Sequence, residues 1–269
     1  MQFKDHFSTG SDKYHKYRPG YPTELFQWLA SISNGHDLAW DCATGTGQAA
    51  RQLAPLYNLI IATDASRQQI NQAETAANIH YSVATDTNPN IADNSVDLLT
   101  IAQAIHWFDT GIFFREVTRV MKPGGALAIW GYNLLHINHE IDEIINDLYW
   151  NTLSGYWPEE RRILEQGYST FELPFSEIQT PEFEMTQQWN LQQLLGYLGT
   201  WSAVRRYMKD KRENTEFLNN ELSLLKEKLK ISQSLVKIGF WELDKKTERF
   251  SFSEEYLGIL GLQKFENEL

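Results

Sequence analysis

The feature that most limits the possible folds is an alternation of short apolar stretches with helical ones through the first half of the chain. The apolar stretches, which we predict to be strands, are residues 38–43, 58–64, 79–85, 95–104 and 126–132. Short buried strands separated by helices of roughly ten to fifteen residues specify a parallel sheet with right-handed crossovers. We therefore predict an α/β fold built on a doubly wound, mostly parallel sheet.

Several of the predicted helices carry end signals. Thr23 is expected to cap a helix that begins beside it, since its hydroxyl can accept a hydrogen bond from a free backbone N–H. The helical stretch 111–122 is expected to stop at residues 123–125, Pro-Gly-Gly, because proline cannot extend a helix and glycine allows a positive φ. Residues 191–209 are expected to form one continuous helix.

The stretch "DCATGTGQAA", residues 41–50, joins the first predicted strand to a helix and allows two interpretations. Its G-x-G-x-x-A spacing fits a turn that binds a dinucleotide, and it also fits a turn that holds the methionine end of S-adenosylmethionine. Asp41 discriminates between them, because a carboxylate attracts the cationic ammonium and sulfonium groups and repels a pyrophosphate. At ~4 Å and an effective dielectric constant of ~20, the difference is a few kcal/mol. Asp41 therefore favours the methyl donor.

A second acid, Asp64, ends the second predicted strand. A carboxylate there can accept hydrogen bonds from both ribose hydroxyls, so Asp64 indicates an adenosine ligand of either kind. The alternative is that Asp64 caps the next helix, a role that Ser66 can also fill. Ligands of such sheets bind at the carboxyl ends of the strands, so we expect one edge to bring together Asp41–Gly47, Asp64, Thr85 and Gln103–Trp107.

The charge of the chain argues against one large class of partners. The net charge is −11, whereas a nucleic-acid-binding protein needs a cationic surface to displace counterions from phosphates. Cys42 is the only cysteine, which excludes an intrachain disulfide and a cysteine-based zinc site, and we expect no metal. No stretch approaches the roughly 18 apolar residues of a membrane-spanning helix. We therefore expect a soluble, cytoplasmic protein with neither nucleic-acid nor membrane partners.

Four stretches together resemble motifs I, II, IV and V of a class I S-adenosylmethionine-dependent methyltransferase: "DCATGTGQAA", "ATDAS", "SVDLLTIAQAIHWFD" and "REVTRVMKPGGALAIWGY". Three more specific stretches, "YHKYRPGYP", "QAIHWFD" and "YLGTWSAVRRY", resemble the subfamily of small-molecule methyltransferases related to trans-aconitate methyltransferase. The resemblance covers about residues 5–208. It implies a Rossmann-like fold, S-adenosylmethionine as cofactor and a small-molecule acceptor, with a carboxylate as the leading candidate.

The resemblance also implies a set of site residues. The backbone of Asp41–Gly47 would hold the methionine part of the cofactor, Asp64 would bind the ribose, and Ala65 would pack on the adenine. Tyr17 and Arg18 would fold over the site, with Arg18 available to a carboxylate. The residues expected to bind the cofactor are Tyr17, Arg18, Asp41, Ala43, Thr44, Gly45, Gly47, Asp64, Ala65, Thr85, Gln103, Ala104 and His106.

Two positions depart from the pattern of the family. Ala43 stands where the family usually has glycine, which tightens the turn. At the end of the third strand the family often carries an acid that faces the adenine amino group, a place that Thr85 or Asp86 fills here.

His106, at the mouth of the fourth strand, is the candidate general base, and the alternative is a histidine that only supports the Trp107 loop. Arg161 and Arg162 are candidates for binding an anionic acceptor, with a solvated helix face as the alternative. Five aromatic residues are candidate walls of the acceptor pocket: Trp130, Tyr132, Trp157, Tyr168 and Trp201.

We divide the chain into a methyltransferase domain (1–208), a helical linker (209–233) and an incomplete segment resembling the start of a PAS sensor domain (234–269). The linker carries leucines at heptad spacing, at positions 218, 222, 225 and 229, which favours a homodimer. The PAS-like segment contains two short alternating strands about a polar turn. The last antiparallel strand usual in the family is missing from the pattern, so either the sheet has an open edge or a tail strand pairs with it.

Three functions are compatible with these patterns to different degrees. The leading hypothesis is a small-molecule methyltransferase. The alternative is a sensor or regulatory protein that binds S-adenosylmethionine without turnover and uses the tail as its output. A nicotinamide-dependent dehydrogenase conflicts with Asp41 and with the later motifs.

Overall fold

A computed structural model describes residues 17–171, 173–211, 241–244 and 249–252 of the chain. The predicted heptad lies outside these residues, as does most of the PAS-like segment. The helices are α1 Thr23–Ile32, α2 Gln48–Leu53, α3 Arg67–Ile70, α4 Thr110–Val120, α5 His139–Asp147, α6 Arg161–Glu165, α7 Leu191–Leu198 and α8 Ser202–Asp210. The strands are β1 Leu38–Cys42, β2 Leu59–Asp64, β3 Ile79–Val83, β4 Val96–Ala102, β5 Met121–Trp130, β6 Trp241–Asp244 and β7 Arg249–Phe252.

The first five strands form one sheet in the order β3-β2-β1-β4-β5, and every neighbouring pair in it is parallel. The predicted parallel sheet is therefore confirmed. The chain leaves β1 toward one side of the sheet and returns to its other side at β4, so the switch point lies between β1 and β4. Asp41 is opposite Ala62 of β2 and Thr100 of β4, at that switch point.

Both faces of the sheet are covered by apolar clusters. Alternate residues of β1 point to opposite faces, so Ala39 belongs to one cluster and Trp40 to the other. The first cluster contains Phe26 of α1 and Leu53 of α2, and the second contains Phe113 of α4. Burial on both faces is why the strands read in the sequence as continuous apolar runs.

The Pro-Gly-Gly stretch, residues 123–125, lies inside a strand, so the helix end expected there is wrong. The helix α4 ends at Val120, and β5 starts at the next residue, so Pro123 lies inside the strand. The pairing with β4 shifts there, since Val96 is opposite Met121 and Leu98 is opposite Ala126. This irregularity lies in an edge strand, where proline and glycine are tolerated because the outer side of the strand makes no ladder bonds.

Two expected helix boundaries also differ. Thr23 is the first residue of α1 and Pro22 occupies the capping position without a side-chain hydrogen bond, so the expected Thr23 cap is wrong. The helix expected over residues 191–209 is two helices, because α7 ends at Leu198 and α8 starts at Ser202. Asn190 begins α7 with a reciprocal capping box to Gln193.

The described residues form two compact units, the first comprising 17–134 and 158–188 and the second comprising 135–157 and everything from 189 onward. The first unit holds the five-stranded sheet. In the second unit Tyr149 packs on Trp157 and Trp201, with ring centroids 4.4 and 5.6 Å apart. The boundaries proposed near residues 208 and 233 stay predictions.

The tail strands β6 and β7 pair antiparallel with each other, which confirms the two strands expected there. They form a separate two-stranded sheet, so the alternative in which a tail strand completes the main sheet is wrong for the described residues. None of the described helices is long and apolar enough to cross a bilayer.

Candidate functional site

The turn after β1 and the end of β2 are joined by direct hydrogen bonds. The amide of Thr44 donates to the carbonyl of Thr63 over 2.9 Å, and the amide of Gly45 donates to Oδ2 of Asp64 over 2.9 Å. The two motifs that sequence reasoning placed at one edge of the sheet therefore lie side by side. A pocket for an adenosine ligand at this edge would have a glycine-rich backbone on one side and a carboxylate on the other.

Asp41 is buried, with 1% of its surface exposed, and it has a role that the sequence pattern did not reveal. Its Oδ1 accepts a hydrogen bond from Thr100 over 2.8 Å, and its Oδ2 accepts from the Thr44 hydroxyl and the Ala50 amide. Asp41 thus ties the glycine turn to both α2 and β4. Burial raises its pKa to about 6 despite these hydrogen bonds, so the carboxylate is charged at neutral pH at an energetic cost.

Three residues of the turn have left-handed backbone conformations. Ala43, Gly45 and Gly47 have φ values of 55°, 59° and 82°. Ala43 is the unusual one, because its Cβ makes this conformation unfavourable and the family usually has glycine here. Hydrogen bonds of the neighbouring residues hold the turn in this shape. The tighter turn expected at Ala43 therefore corresponds to a strained backbone conformation of that residue.

Replacing Ala43 with glycine should leave the free energy of unfolding unchanged to within about 0.5 kcal/mol. Relief of the left-handed φ, about 1 kcal/mol, offsets the added freedom of the unfolded chain. The matched control is Ala39→Gly in β1, where regular strand and complete burial predict a loss of about 1 kcal/mol or more. Urea denaturation measures all three proteins, and equal losses at both positions would contradict the strain at Ala43.

Gly47 is needed for a second reason, its close approach to Tyr81 of β3. A Cβ built on Gly47 would lie 2.1 Å from the Tyr81 hydroxyl oxygen. That hydroxyl is buried and has no hydrogen-bond partner among the described residues, although it lies beside the turn. An unsatisfied buried hydroxyl at this point fits a site that a polar ligand completes.

Gly47→Ala should lower the free energy of unfolding by about 2 kcal/mol, because the methyl group both clashes with Tyr81 and is strained at positive φ. The affinity for S-adenosylmethionine should fall about tenfold as the turn shifts. In the Tyr81→Ala background, Gly47→Ala should cost less stability and less affinity than it does in the wild type. Calorimetry and thermal unfolding of both single variants and of the double variant Gly47→Ala/Tyr81→Ala would measure this difference as a coupling energy. Strictly additive effects would show that Tyr81 is not the obstacle.

The donor and acceptor groups of this edge fit S-adenosylmethionine. Open space lies in front of Gly45, since a Cβ built there would have Gln69 Oε1 as its nearest neighbour at 4.0 Å. Two carboxylates, Asp41 and Asp64, suit a ligand with cationic groups and a ribose diol. Among the described residues no group of three His, Cys, Asp or Glu side chains is arranged to hold a metal ion.

The residues expected around the adenine lie at the ends of β2 and β3. Ser66 caps α3 by accepting from the Gln69 amide, and its own amide donates to Oδ1 of Asp64 over 2.7 Å. The helix-cap alternative for Asp64 is therefore wrong, because Ser66 has that role. Ala65 is half-buried and Thr85 is exposed, whereas burial raises the pKa of the neighbouring Asp86.

The lead-in segment and the end of β5 meet at Tyr132. Arg18 donates to the Tyr132 hydroxyl over 2.8 Å, and its guanidinium carbon lies 5.9 Å from the centre of that ring. Gln103 donates through its side-chain amide to the Tyr132 carbonyl over 3.0 Å, with a left-handed φ of 59°. Tyr17, which precedes Arg18, is half-buried. The cation of Arg18 is thereby fixed beside the carboxyl ends of β4 and β5.

His106 lies in a short 3₁₀ turn, Ile105–Trp107, which is separated from the end of β4 by Gln103 and the buried Ala104. It is 7% exposed, and its Nδ1 lies 3.3 Å from the hydroxyl of Tyr168. Its ring packs against Trp107 with centroids 4.9 Å apart. Burial, with a contribution from the positive charge of Arg161, lowers the pKa of His106 to about 4. The imidazole is therefore neutral at physiological pH.

The sequence predicted most of these residues but did not predict which side chains they contact. Tyr168 was a candidate pocket wall without a known contact, and Tyr81 was not singled out. Of the two arginines considered for an anion, Arg161 acts electrostatically on His106 and Arg162 is exposed. A feature that could have drawn attention to β3 is the large aromatic Tyr81 between two polar residues in the third strand.

Comparison with known proteins agrees with this geometry. Residues 40–129 match the family model described as a methyltransferase domain. A Dictyostelium discoideum protein named as a methyltransferase is 30% identical over 212 residues, which cover 77% of this chain and 81% of that protein. An uncharacterized methyltransferase of Mycobacterium tuberculosis is 32% identical over 126 residues, 46% of this chain, and the match spans only 50% of that relative.

A solved structure gives the same result for the fold. The protein described as a type II methyltransferase from Anaeromyxobacter dehalogenans is 36% identical, with a TM-score of 0.72 over 80% of this chain and 89% of that chain. The residues matched by the family model, 40–129, include the glycine turn and strands β2 to β4. The chain is an enzyme that uses S-adenosylmethionine, and it belongs to the class I S-adenosylmethionine-dependent methyltransferases.

Proposed function

We propose that this enzyme transfers a methyl group to a carboxylate of a small molecule, as the resemblance to the trans-aconitate methyltransferase subfamily suggests. When bound, S-adenosylmethionine supplies a methyl group on a positively charged sulfur. The proposal rests chiefly on the surroundings of His106, which is buried and is acted on by the positive charge of Arg161. Both conditions disfavour the imidazolium and lower the pKa to about 4, so His106 is a weak base. A site with so weak a base suits an acceptor that is already deprotonated at neutral pH, and a carboxylate meets that condition.

The cofactor would be held by the residues of the sheet edge. The backbone from Asp41 to Gly47 would bind its methionine part, with Ala43, Thr44 and Gly45 lining the turn. Asp64 would accept from the ribose hydroxyls, while Ala65 and Thr85 would flank the adenine. The remaining contacts would come from the ends of the other elements: Tyr17, Arg18, Gln103, Ala104 and His106.

Two arginines support the choice of an anionic acceptor. Arg18 is anchored on Tyr132 by a 2.8 Å hydrogen bond, and Arg161 acts electrostatically on both His106 and Tyr168. The imidazole of His106 is neutral, and the guanidinium of Arg161 acts on it as a positive charge. Such a charge favours a carboxylate over an amine or a neutral hydroxyl, since guanidinium–carboxylate pairs are strong and geometrically specific.

The experiment that tests the proposal measures formation of S-adenosylhomocysteine with a panel of small di- and tricarboxylates at pH 7.5. The same panel as primary amides, together with catechols and amines, gives the comparison. Turnover confined to carboxylates supports the proposal, and turnover confined to a hydroxyl or amine acceptor overturns it.

Arg161→Gln should raise the KM for a carboxylate acceptor about tenfold or more, because a charge-assisted hydrogen bond is worth about 1.5–3 kcal/mol. The affinity for S-adenosylmethionine should stay unchanged. Arg162→Gln is the matched control, since it removes the same charge from an exposed neighbouring position. Steady-state kinetics of the three proteins with one carboxylate decides the point, and equal KM values for all three would exclude Arg161 from acceptor binding.

Further parts of the sequence interpretation stay predictions. The homodimer rests on the leucine heptad, which lies outside the described residues, and the PAS-like character of residues 234–269 rests on sequence alone. The cytoplasmic location is likewise an expectation. No observation on the described residues favours the alternative of a sensor without turnover.

A further inference from the structure

His106, which is buried, and Tyr168, which is half-buried, form a pair from two distant parts of the chain. The Tyr168 hydroxyl lies 3.3 Å from Nδ1 of His106, and their rings are inclined by only 21° with centroids 6.1 Å apart. The ring of Tyr168 also stacks on Phe171, with centroids 5.8 Å apart and planes inclined by 17°, which restricts the plane of the phenol. The hydroxyl is therefore directed at one particular nitrogen of the imidazole.

The backbone of Tyr168 has an unfavourable conformation at the position where its hydroxyl reaches His106. Its φ is 61°, directly after Gly167 at 62°, and such a value is an outlier for a bulky aromatic residue. The amide of Tyr168 donates to the Ile163 carbonyl over 3.0 Å, which fastens this turn to α6. Strain that surrounding contacts maintain is typical of functional positions.

The end of β5 leaves room for the same hydroxyl. A Cβ built on Gly131 would lie 3.0 Å from the Tyr168 oxygen and 2.3 Å from Leu164 Cδ1. A larger residue at position 131 would displace α6 or the phenol. The position of the Tyr168 hydroxyl oxygen is therefore restricted by three elements: the 3₁₀ turn after β4, the end of β5 and the turn after α6.

The protonation states of the two groups determine the direction of their hydrogen bond. Burial raises the pKa of Tyr168 well above its usual range, so the phenol keeps its proton, and burial keeps His106 neutral. Between a neutral phenol and a neutral imidazole, the phenol O–H is the better donor and the bare imidazole nitrogen the better acceptor. Tyr168 then donates to Nδ1, which puts the ring proton of His106 on Nε2.

We propose that Tyr168 is a positioning residue that holds His106 as its Nε2–H tautomer, so that His106 donates a hydrogen bond to the methyl acceptor and does not remove a proton from it. The inference rests on the proposed function, because a carboxylate acceptor has no proton to lose and has an oxygen to accept from Nε2–H. It reassigns the candidate base as a donor. The part of the proposal that concerns the tautomer of His106 can be tested without any acceptor.

The first experiment is ¹⁵N NMR of the ligand-free protein with labelled histidine at pH 7, with the His106 signals assigned by their loss in His106→Gln. A pyridine-like shift at Nδ1 and a pyrrole-like shift at Nε2 are expected. In Tyr168→Phe the signals should move toward a mixture of tautomers. Tyr156→Phe, which removes a phenol bonded to Asp210 in the second unit, should leave them unchanged. Protonated Nδ1 in the wild type, or no change in Tyr168→Phe, would overturn the proposal.

The second experiment separates donor from base by kinetics with a carboxylate found in the panel. A glutamine at position 106 can present an amide N–H near the place of Nε2, so His106→Gln should retain much more activity than His106→Phe. Tyr168→Phe should raise the KM for the acceptor about fivefold with a smaller change in kcat, as expected for one weakened neutral hydrogen bond. Equal losses in His106→Gln and His106→Phe would overturn the role of His106 as a hydrogen-bond donor to the acceptor.

The two experiments fail in different ways. If no carboxylate is methylated but the NMR shows the Nε2–H tautomer controlled by Tyr168, the proposed acceptor class is wrong and the pair is still as described. If carboxylates are methylated but the tautomer is the other one, the acceptor class holds and the role of Tyr168 is wrong.

Discussion

Asp64→Ala is expected to lower the affinity for S-adenosylmethionine about 100-fold. The carboxylate of Asp64 accepts from the Gly45 amide through Oδ2 and from the Ser66 amide through Oδ1, which orients it at the end of β2. In that orientation it can accept from a ribose diol, and charge-assisted hydrogen bonds are worth about 1.5–3 kcal/mol each. A net loss of about 3 kcal/mol corresponds to about two orders of magnitude in the dissociation constant.

Isothermal titration of S-adenosylmethionine at pH 7.5 measures this loss, with NAD⁺ as the ligand that should bind neither protein. Asp64→Asn keeps the size and one acceptor oxygen, so it should lose about tenfold, between wild type and alanine. Glu74→Ala is the matched control because it removes an exposed carboxylate paired with Arg51 and should bind normally. If Asp64→Ala binds within threefold of wild type while remaining folded, the ribose is bound elsewhere.

The sheet was predictable because its signals are local. A strand buried on both faces is a run of apolar residues, and β4, with six of its seven residues buried, is read directly from the sequence. The Pro-Gly-Gly stretch shows where local signals fail. Its residues suit a helix end and also suit an irregular edge strand, and pairing with β4 decides between them.

The site was predictable in its residues but not in their contacts. The spacing of the glycines and the acids at strand ends identified Asp41 and Asp64, since these are properties of a few consecutive residues. Asp41 bonds to Thr100, 59 residues later, and His106 meets Tyr168, 62 residues later. No local pattern encodes such partners, because they exist only after the sheet and its connections have folded. The same holds for the approach of Tyr81 to Gly47.

The pH dependence of stability is expected to contain two opposing contributions from buried groups. Asp41 has a pKa of about 6 in the folded protein against an ordinary value of 3.8, so its contribution is fully present below pH 3.8 and is lost as the pH rises through 6. His106 has a pKa of about 4 against 6.5, so its contribution is present above pH 6.5 and is lost as the pH falls through 4. Each shift corresponds to about 3 kcal/mol.

These contributions can be separated by two substitutions that remove one titrating group each. Relative to Asp41→Asn, the wild type should gain about 2 kcal/mol of stability between pH 7 and pH 4, because only the wild type takes up a proton at Asp41. Relative to His106→Gln, the wild type should lose about 3 kcal/mol of stability over the same range. The reason is that the unfolded chain takes up a proton at His106 below pH 6.5, whereas the buried imidazole of the folded protein does so only near pH 4.

Urea denaturation of the three proteins at half-unit steps from pH 4 to pH 7 gives the differences directly. Other carboxylates titrate in this range, but they are common to all three proteins and cancel when the curves are subtracted. The two difference curves should therefore have opposite slopes, with the Asp41 curve steepest near pH 5 and the His106 curve steepest between pH 4.5 and 6, as their pKa values of about 6 and about 4 require. A flat curve for Asp41→Asn would mean that water reaches the carboxylate at the switch point. A flat curve for His106→Gln would mean that the pKa of His106 is the same in the folded and unfolded protein, which would make its imidazole a stronger base than proposed.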